Sequence, residues 1–212
     1  MEDVLDLYQQ PEQEGTTRLC LDERPCQLLD DILLPLPMKE GKPLRQDYEY
    51  KRMGTCAVFM IYDMNKGLRY GKVSERRTKA DYAAFIDEVL KEHYREVEKI
   101  ELVQDNLNTH TFGSFYEYLP VDRAAELRRL ITFHYTPKHG SWLNMVEIEF
   151  SALSRQCFKR HIATRDHLDE LMQPWIKERN EKQIRIHWSF TVNDARDKLA
   201  SQYTKAFKYQ ID

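Results

Sequence analysis

Two apolar runs, Thr55 to Tyr62 and Leu68 to Val73, are separated by Asp63-Met64-Asn65-Lys66-Gly67. Turn chemistry between two strand-like segments commits this part of the chain to an antiparallel hairpin. Upstream, Arg18 to Asp22 alternates with period two, which puts Leu19 and Leu21 on one face and Cys20 and Asp22 on the other. Downstream, the period changes. A helix is expected from Lys79 to Tyr94, with Tyr82, Phe85, Ile86, Val89 and Leu90 on one stripe.

Ile100 to Gln104 reads as the next strand and runs into Asp105. Helices over Phe112 to Leu119 and Arg123 to Leu130, then a strand at Ile131 to Tyr135, complete the middle. Leu143, Val146, Phe150, Leu153 and Cys157 recur at three- and four-residue steps and predict a helix from Leu143 to Phe158. Further helices are expected at His167 to Arg179, around Asn193 to Ala200, and ending near Tyr8. Pro25, Pro35, Pro37 and Pro43 predict loop or edge rather than central strand. This order fits an α/β fold: a mixed sheet that starts antiparallel and finishes with crossovers, followed by a helical C-terminal tail.

At 212 residues the chain can bury one substantial core. The expected division is an N-terminal helix and linker (1–17), a main domain (18–165) and a helical extension packed on it (166–212). A net charge of −3 excludes a uniformly basic nucleic-acid binder, so any DNA contact must come from bases gathered along a groove. The four cysteines form no CxxC pair, no apolar run is long enough for a membrane span, and the acidic start lacks a signal-peptide pattern. These features lead us to expect a soluble intracellular protein with no membrane partner.

Most of the 35 acids must be solvated or capping residues. Asp22 and Asp105 differ because each ends an apolar strand, where neighbouring parallel strands bring their carboxyl ends together. Asp63 also follows a strand, but it opens a tight turn. Glu147 and Glu149 flank opposite edges of one helical stripe, and periodicity does not choose between them. Carboxylates converging from two strand ends and a helix can hold a pair of divalent cations for phosphodiester chemistry.

The stretches Cys-Leu-Asp-Glu (20–23), Gln-Asp-Asn-Leu-Asn-Thr-His (104–110) and Tyr-Thr-Pro-Lys-His-Gly-Ser-Trp-Leu-Asn-Met-Val-Glu (135–147) resemble the catalytic blocks of DDE transposases. The bacterial insertion-sequence branch of the mariner-like superfamily is most similar. The resemblance continues to Trp188-Ser-Phe and Asp194-Ala-Arg196, so it covers nearly the whole chain. Its third acid follows Leu-Asn-x-x-Glu, here Leu143-Asn144-Met145-Val146-Glu147, so the implied catalytic and metal-binding triad is Asp22, Asp105 and Glu147. The interval of 42 positions between Asp105 and Glu147 is longer than in compact mariner relatives. An extra turn within Val121 to Arg129 would absorb the difference.

The resemblance implies an RNase H-like fold with a five-stranded sheet, its first and fourth strands adjacent. It also implies two Mg²⁺ or Mn²⁺ ions, cleavage at element ends, and 3′-hydroxyl strand transfer into target DNA. Asn106 is expected to orient a ligand, and His110 to touch DNA or cap a helix. Lys138, His139 and Ser141 are expected to hold a phosphate, unless they merely form the turn that starts the next helix. Arg76, Arg77, Arg155, Lys159 and Arg160 are candidates for DNA-backbone contacts, and Trp142 and Trp188 for core. Only 21 residues precede Asp22, too few for the helix-turn-helix module of full transposases of this type. Such a module would then be a separate N-terminal half. Family logic adds a homodimer bridging two element ends and a bacterial, nucleoid-associated cytoplasmic location. Rival readings are an RNase H-like endonuclease that cuts without joining, and an inactive or domesticated DNA-binding remnant.

Overall fold

A computed structural model describes residues 1–33, 41, 49–200 and 203. Pro35, Pro37 and Pro43 lie outside them. Five strands form one mixed sheet: β1 (Thr16–Asp31), β2 (Tyr50–Asp63), β3 (Leu68–Ser74), β4 (Lys99–Gln104) and β5 (Ile131–Tyr135), in the order β3-β2-β1-β4-β5. β1, β2 and β3 pair antiparallel, whereas β4 runs parallel to β1 and β5 parallel to β4. Parallel neighbours need long crossovers. Helix α2 (Lys79–His93) supplies the first, and α3 (Phe112–Tyr118) with α4 (Val121–Leu130) the second.

The expected hairpin joins β2 to β3. Asp63 accepts the Lys66 N–H at 2.8 Å and the Tyr94 hydroxyl at 2.6 Å, and Gly67 takes a φ of 67° that a side chain would disfavour. The expected alternation in β1 holds as well. Leu19 and Leu21 join Phe59, Ile61, Ile100 and Leu102 beneath α2, α3 and α4. Cys20, Met60, Tyr62 and Val103 face the opposite layer. That layer comprises α1 (Glu2–Gln9), α5 (Val146–Cys157), α6 (Arg165–Glu181) and α7 (Val192–Lys198).

Two boundaries need correction: β1 runs past Asp22 to Asp31, although Pro25 sits at an edge position as expected. Pro25 lies inside β1, paired with Ala57 of β2. It is tolerated because β4 pairs only with Thr16 to Cys20, so beyond that point β1 is locally an edge. The helix expected from Leu143 instead begins at Val146, after a 3₁₀ turn at Ser141–Leu143. Asn144 breaks the continuity: its Oδ1 accepts the Val146 N–H at 3.2 Å, and its Nδ2 donates to the Leu21 carbonyl at 2.7 Å.

Candidate active site

Register brings the first two acids together. Cys20 pairs with Val103 across the parallel β1–β4 ladder, so Asp22 and Asp105, each two residues further on, emerge side by side at its carboxyl end. The third element arrives from β5. Its exit loop folds tightly at Gly140, where a Cβ would stand only 2.6 Å from the Pro137 ring, and delivers Glu147 on the first turn of α5. Asn144 fastens this corner to β1, since its Nδ2 also lies 3.4 Å from Asp22 Oδ2.

The acids feel one another. Asp22 is 7 % exposed, and its pKa is pushed up to about 8, first by burial and then by the charges of Glu147, Asp105 and Glu23. A hydrogen bond from the Glu23 N–H to Asp22 Oδ1, at 2.9 Å, opposes the rise. Glu147 remains half-buried and open to a ligand. Glu149 does not: it is fully buried, bonded through both oxygens to Arg69 at 2.8 Å and to Arg179 at 3.1 Å.

His110 is placed differently from expectation. Its side chain is fully buried, so it neither reaches DNA nor caps a helix. Nδ1 stands 2.6 Å from Asp105 Oδ1, and Nε2 stands 2.9 Å from Glu23 Oε2. Both are close ion pairs without hydrogen-bond alignment: Nδ1 makes its hydrogen bond to the Asp105 main-chain carbonyl at 3.2 Å, while Nε2 and Glu23 Oε2 have no other partner among the described residues. Burial alone would lower the imidazole pKa, but Asp105 and Glu23 override it and raise it to about 9. Tyr82 stacks on the ring at 4.7 Å.

Among the described residues, no three His, Cys, Asp or Glu side chains converge closely enough to hold a metal ion as they stand. The donor set itself suits a hard divalent cation. Asp22, Asp105 and Glu147 offer carboxylate oxygens, and their mutual repulsion, recorded in the raised pKa of Asp22, is what a cation would relieve.

The remaining candidates lie around this centre. Asn106, Lys138, His139 and Ser141 are exposed in the loops after β4 and β5, and His139 adopts a φ of 63°. Arg76 and Arg77 are exposed just past Ser74, which is level with Pro25 across the sheet. α5 follows β1 in the same direction. Arg24 bonds to the Phe150 carbonyl and Ser154 hydroxyl, and the Leu29 N–H donates to the Ile162 carbonyl. The exposed Arg155, Lys159 and Arg160 therefore lie further along the path that leads away from Asp22. Trp142 is 44 % exposed rather than core, with its ring stacked on the partly buried Trp188.

Sequence reasoning missed Asn144 and Glu23 as parts of the site. Both signals were present: Asn144 stands within Leu-Asn-x-x-Glu, and Glu23 directly follows the first acid.

Comparison with known proteins adds a family and a fold. Residues 17–169 match the family model described as DDE superfamily endonuclease. The structure is similar to the Mos1 mariner paired-end complex with Mn, with a TM-score of 0.54 and 11% identity over 78% of this chain and 51% of that one. It is also similar to a pre-cleavage Mos1 transpososome, with a TM-score of 0.53 and 12% identity over 81% of this chain and 57% of that one. The Mos1 transposase catalytic domain with raltegravir and Mn gives a TM-score of 0.51 and 11% identity over 81% of this chain and 84% of that one. The chain thus spans about half the length of the paired-end-complex protein. At such identities the likeness establishes the fold, which is RNase H-like. No curated protein sequence matches the chain.

Proposed function

The chain belongs to the DDE superfamily endonucleases, and on that premise we propose that it is the catalytic portion of a transposase. It would cut phosphodiester bonds at element ends and join the freed 3′-hydroxyl to target DNA. The observation that supports this reading is that β1 and β4 end side by side at Asp22 and Asp105, while Glu147 on α5 lies near enough to help raise the pKa of Asp22.

Asp22, Asp105 and Glu147 would hold two divalent cations, Mg²⁺ or Mn²⁺. Such a pair would supply charge stabilisation for the attacking and leaving oxygens of an in-line displacement. The protein's own part is placement. Asn144 keeps the Glu147 corner against β1, and Asn106, exposed beside Asp105, is positioned to orient a ligand. Lys138, His139 and Ser141, exposed after β5, would hold a phosphate. Arg155, Lys159 and Arg160, with Arg76 and Arg77, would follow the DNA backbone away from the centre. The Mn named in two of the Mos1 structures supports the choice of metal, and the paired-end complex supports element-end DNA as partner; two copies of the chain would bridge the ends. Recognition of the ends would rest with a helix-turn-helix module.

A strand-transfer assay on pre-cut, radiolabelled element-end duplexes tests the joining step. Mn²⁺-dependent joined product that is lost in Asp105→Ala supports the proposal. Plasmid nicking without any joined product would favour the rival that only cuts.

A further inference from the structure

We infer that His110 is a positioning residue for Asp105, holding one carboxylate oxygen so that the other faces the cation site. The inference rests on the proposed metal-dependent function and deepens it.

The ring is fully enclosed and anchored on every side. Tyr82 stacks on its face at 4.7 Å, and its carbonyl accepts from Gln104 at 3.2 Å and from the Tyr135 hydroxyl at 2.9 Å. Tyr82 in turn donates to Gln104 at 2.8 Å, closing the network around the backbone of residue 110. Glu23 faces Nε2 at 2.9 Å, so Nδ1 is left on the Asp105 side, 2.6 Å from Oδ1 as an ion pair and 3.2 Å from the Asp105 main-chain carbonyl as a hydrogen bond.

Asp105 Oδ1, already paired with the ring, also accepts the Leu107 N–H at 3.3 Å, whereas Oδ2 has no hydrogen bond among the described residues. A carboxylate with one oxygen tied down and one free is a one-sided ligand with a fixed direction. Second-sphere partners of this kind set ligand orientation, and their loss typically costs about 10–100-fold in metal affinity or activity. Glu23, paired with the ring and turned from solvent, acts as the anchor rather than a fourth ligand.

Two substitutions separate the two ring nitrogens. His110→Asn can keep a donor near the Nδ1 position, and His110→Gln a donor near Nε2. Mn²⁺ binding to the DNA-free protein, followed by loss of the free-ion electron paramagnetic resonance signal, reads the outcome without any catalytic step. Far-UV circular dichroism checks the folded fraction. We expect the Mn²⁺ affinity of His110→Asn to stay within about threefold of the parent and that of His110→Gln to fall about 10–100-fold. Folded His110→Gln with parental affinity would overturn the inference and leave the metal site standing. Absence of Mn²⁺ binding in the parent would overturn both. Should neither His110 variant fold, Glu23→Leu removes the anchor instead: weakened binding supports the inference, and parental binding overturns it.

Discussion

Glu149 and Arg69 form a two-point ion pair in which both contacts are 2.8 Å and both side chains are fully buried. Arg179 adds two further contacts at 3.1 Å. This pairing uses both oxygens of Glu149 and ties α5 to β3 and α6. It removes from the active-site question the acid that stands two residues from Glu147.

The first prediction contrasts these two acids. Glu149→Gln leaves two arginines short of their counter-charge in the interior, and breaking a buried pair from one side costs about 3–5 kcal/mol. Glu147→Gln removes a half-buried charge that repels Asp22, so its stability should equal or exceed the parent's. Thermal melts monitored by circular dichroism check the contrast. Equal destabilisation by the two variants would refute it.

The second concerns pH. In the folded protein Asp22 titrates near 8, well above the ordinary carboxylate value of 3.8 that applies when unfolded. Between those values the folded state retains a proton that the unfolded state has lost, so stability falls as pH rises through the window. Metal-free protein should therefore melt at progressively lower temperature from pH 4 to pH 8. Asp22→Asn should flatten that decline and raise the melting temperature at pH 8 by several degrees, at about 2–4 °C per kcal/mol for a chain of this size. A slope that is unchanged in Asp22→Asn would contradict the assignment.

The third concerns Asn144. Alanine there leaves the Leu21 carbonyl and the Asp22 edge without their donor, at a cost of about 1–3 kcal/mol. It also frees the corner that carries Glu147. Misplacement of a catalytic group by about 1 Å can cost about 100-fold in rate. Plasmid nicking by folded Asn144→Ala should fall by about that factor, with DNA affinity preserved. A parental rate would show that the corner is held by other contacts.

The fourth concerns the basic path beside α5. Replacing Arg155, Lys159 and Arg160 with alanine should weaken DNA binding uniformly across sequences. It should also flatten the salt dependence of log K by about 0.9 per lost phosphate contact. Fluorescence anisotropy at several salt concentrations reads the slope. An unchanged slope would place the DNA elsewhere.

Much of this arrangement was legible in the sequence because its signals are local. Alternation in Arg18 to Asp22 announced the two faces of β1, and Asp63 through Gly67 announced the hairpin. What stayed hidden depends on partners far along the chain. Glu147 and Glu149 are equivalent by periodicity, and what separates them is Arg69, 80 positions away. His110 could be placed near the site but not inside it, because its burial comes from Tyr82 and Glu23 rather than from its neighbours. The length of β1 stayed hidden behind Pro25, because a strand can be central over one half and an edge, where proline is tolerated, over the other.

The most direct test of the central claim is Mg²⁺- or Mn²⁺-dependent nicking of supercoiled plasmid by the parent, Asp105→Ala and Glu147→Ala. The account predicts metal-dependent nicking by the parent that is lost in both variants while their folds persist. Nicking that survives in folded Glu147→Ala would contradict it.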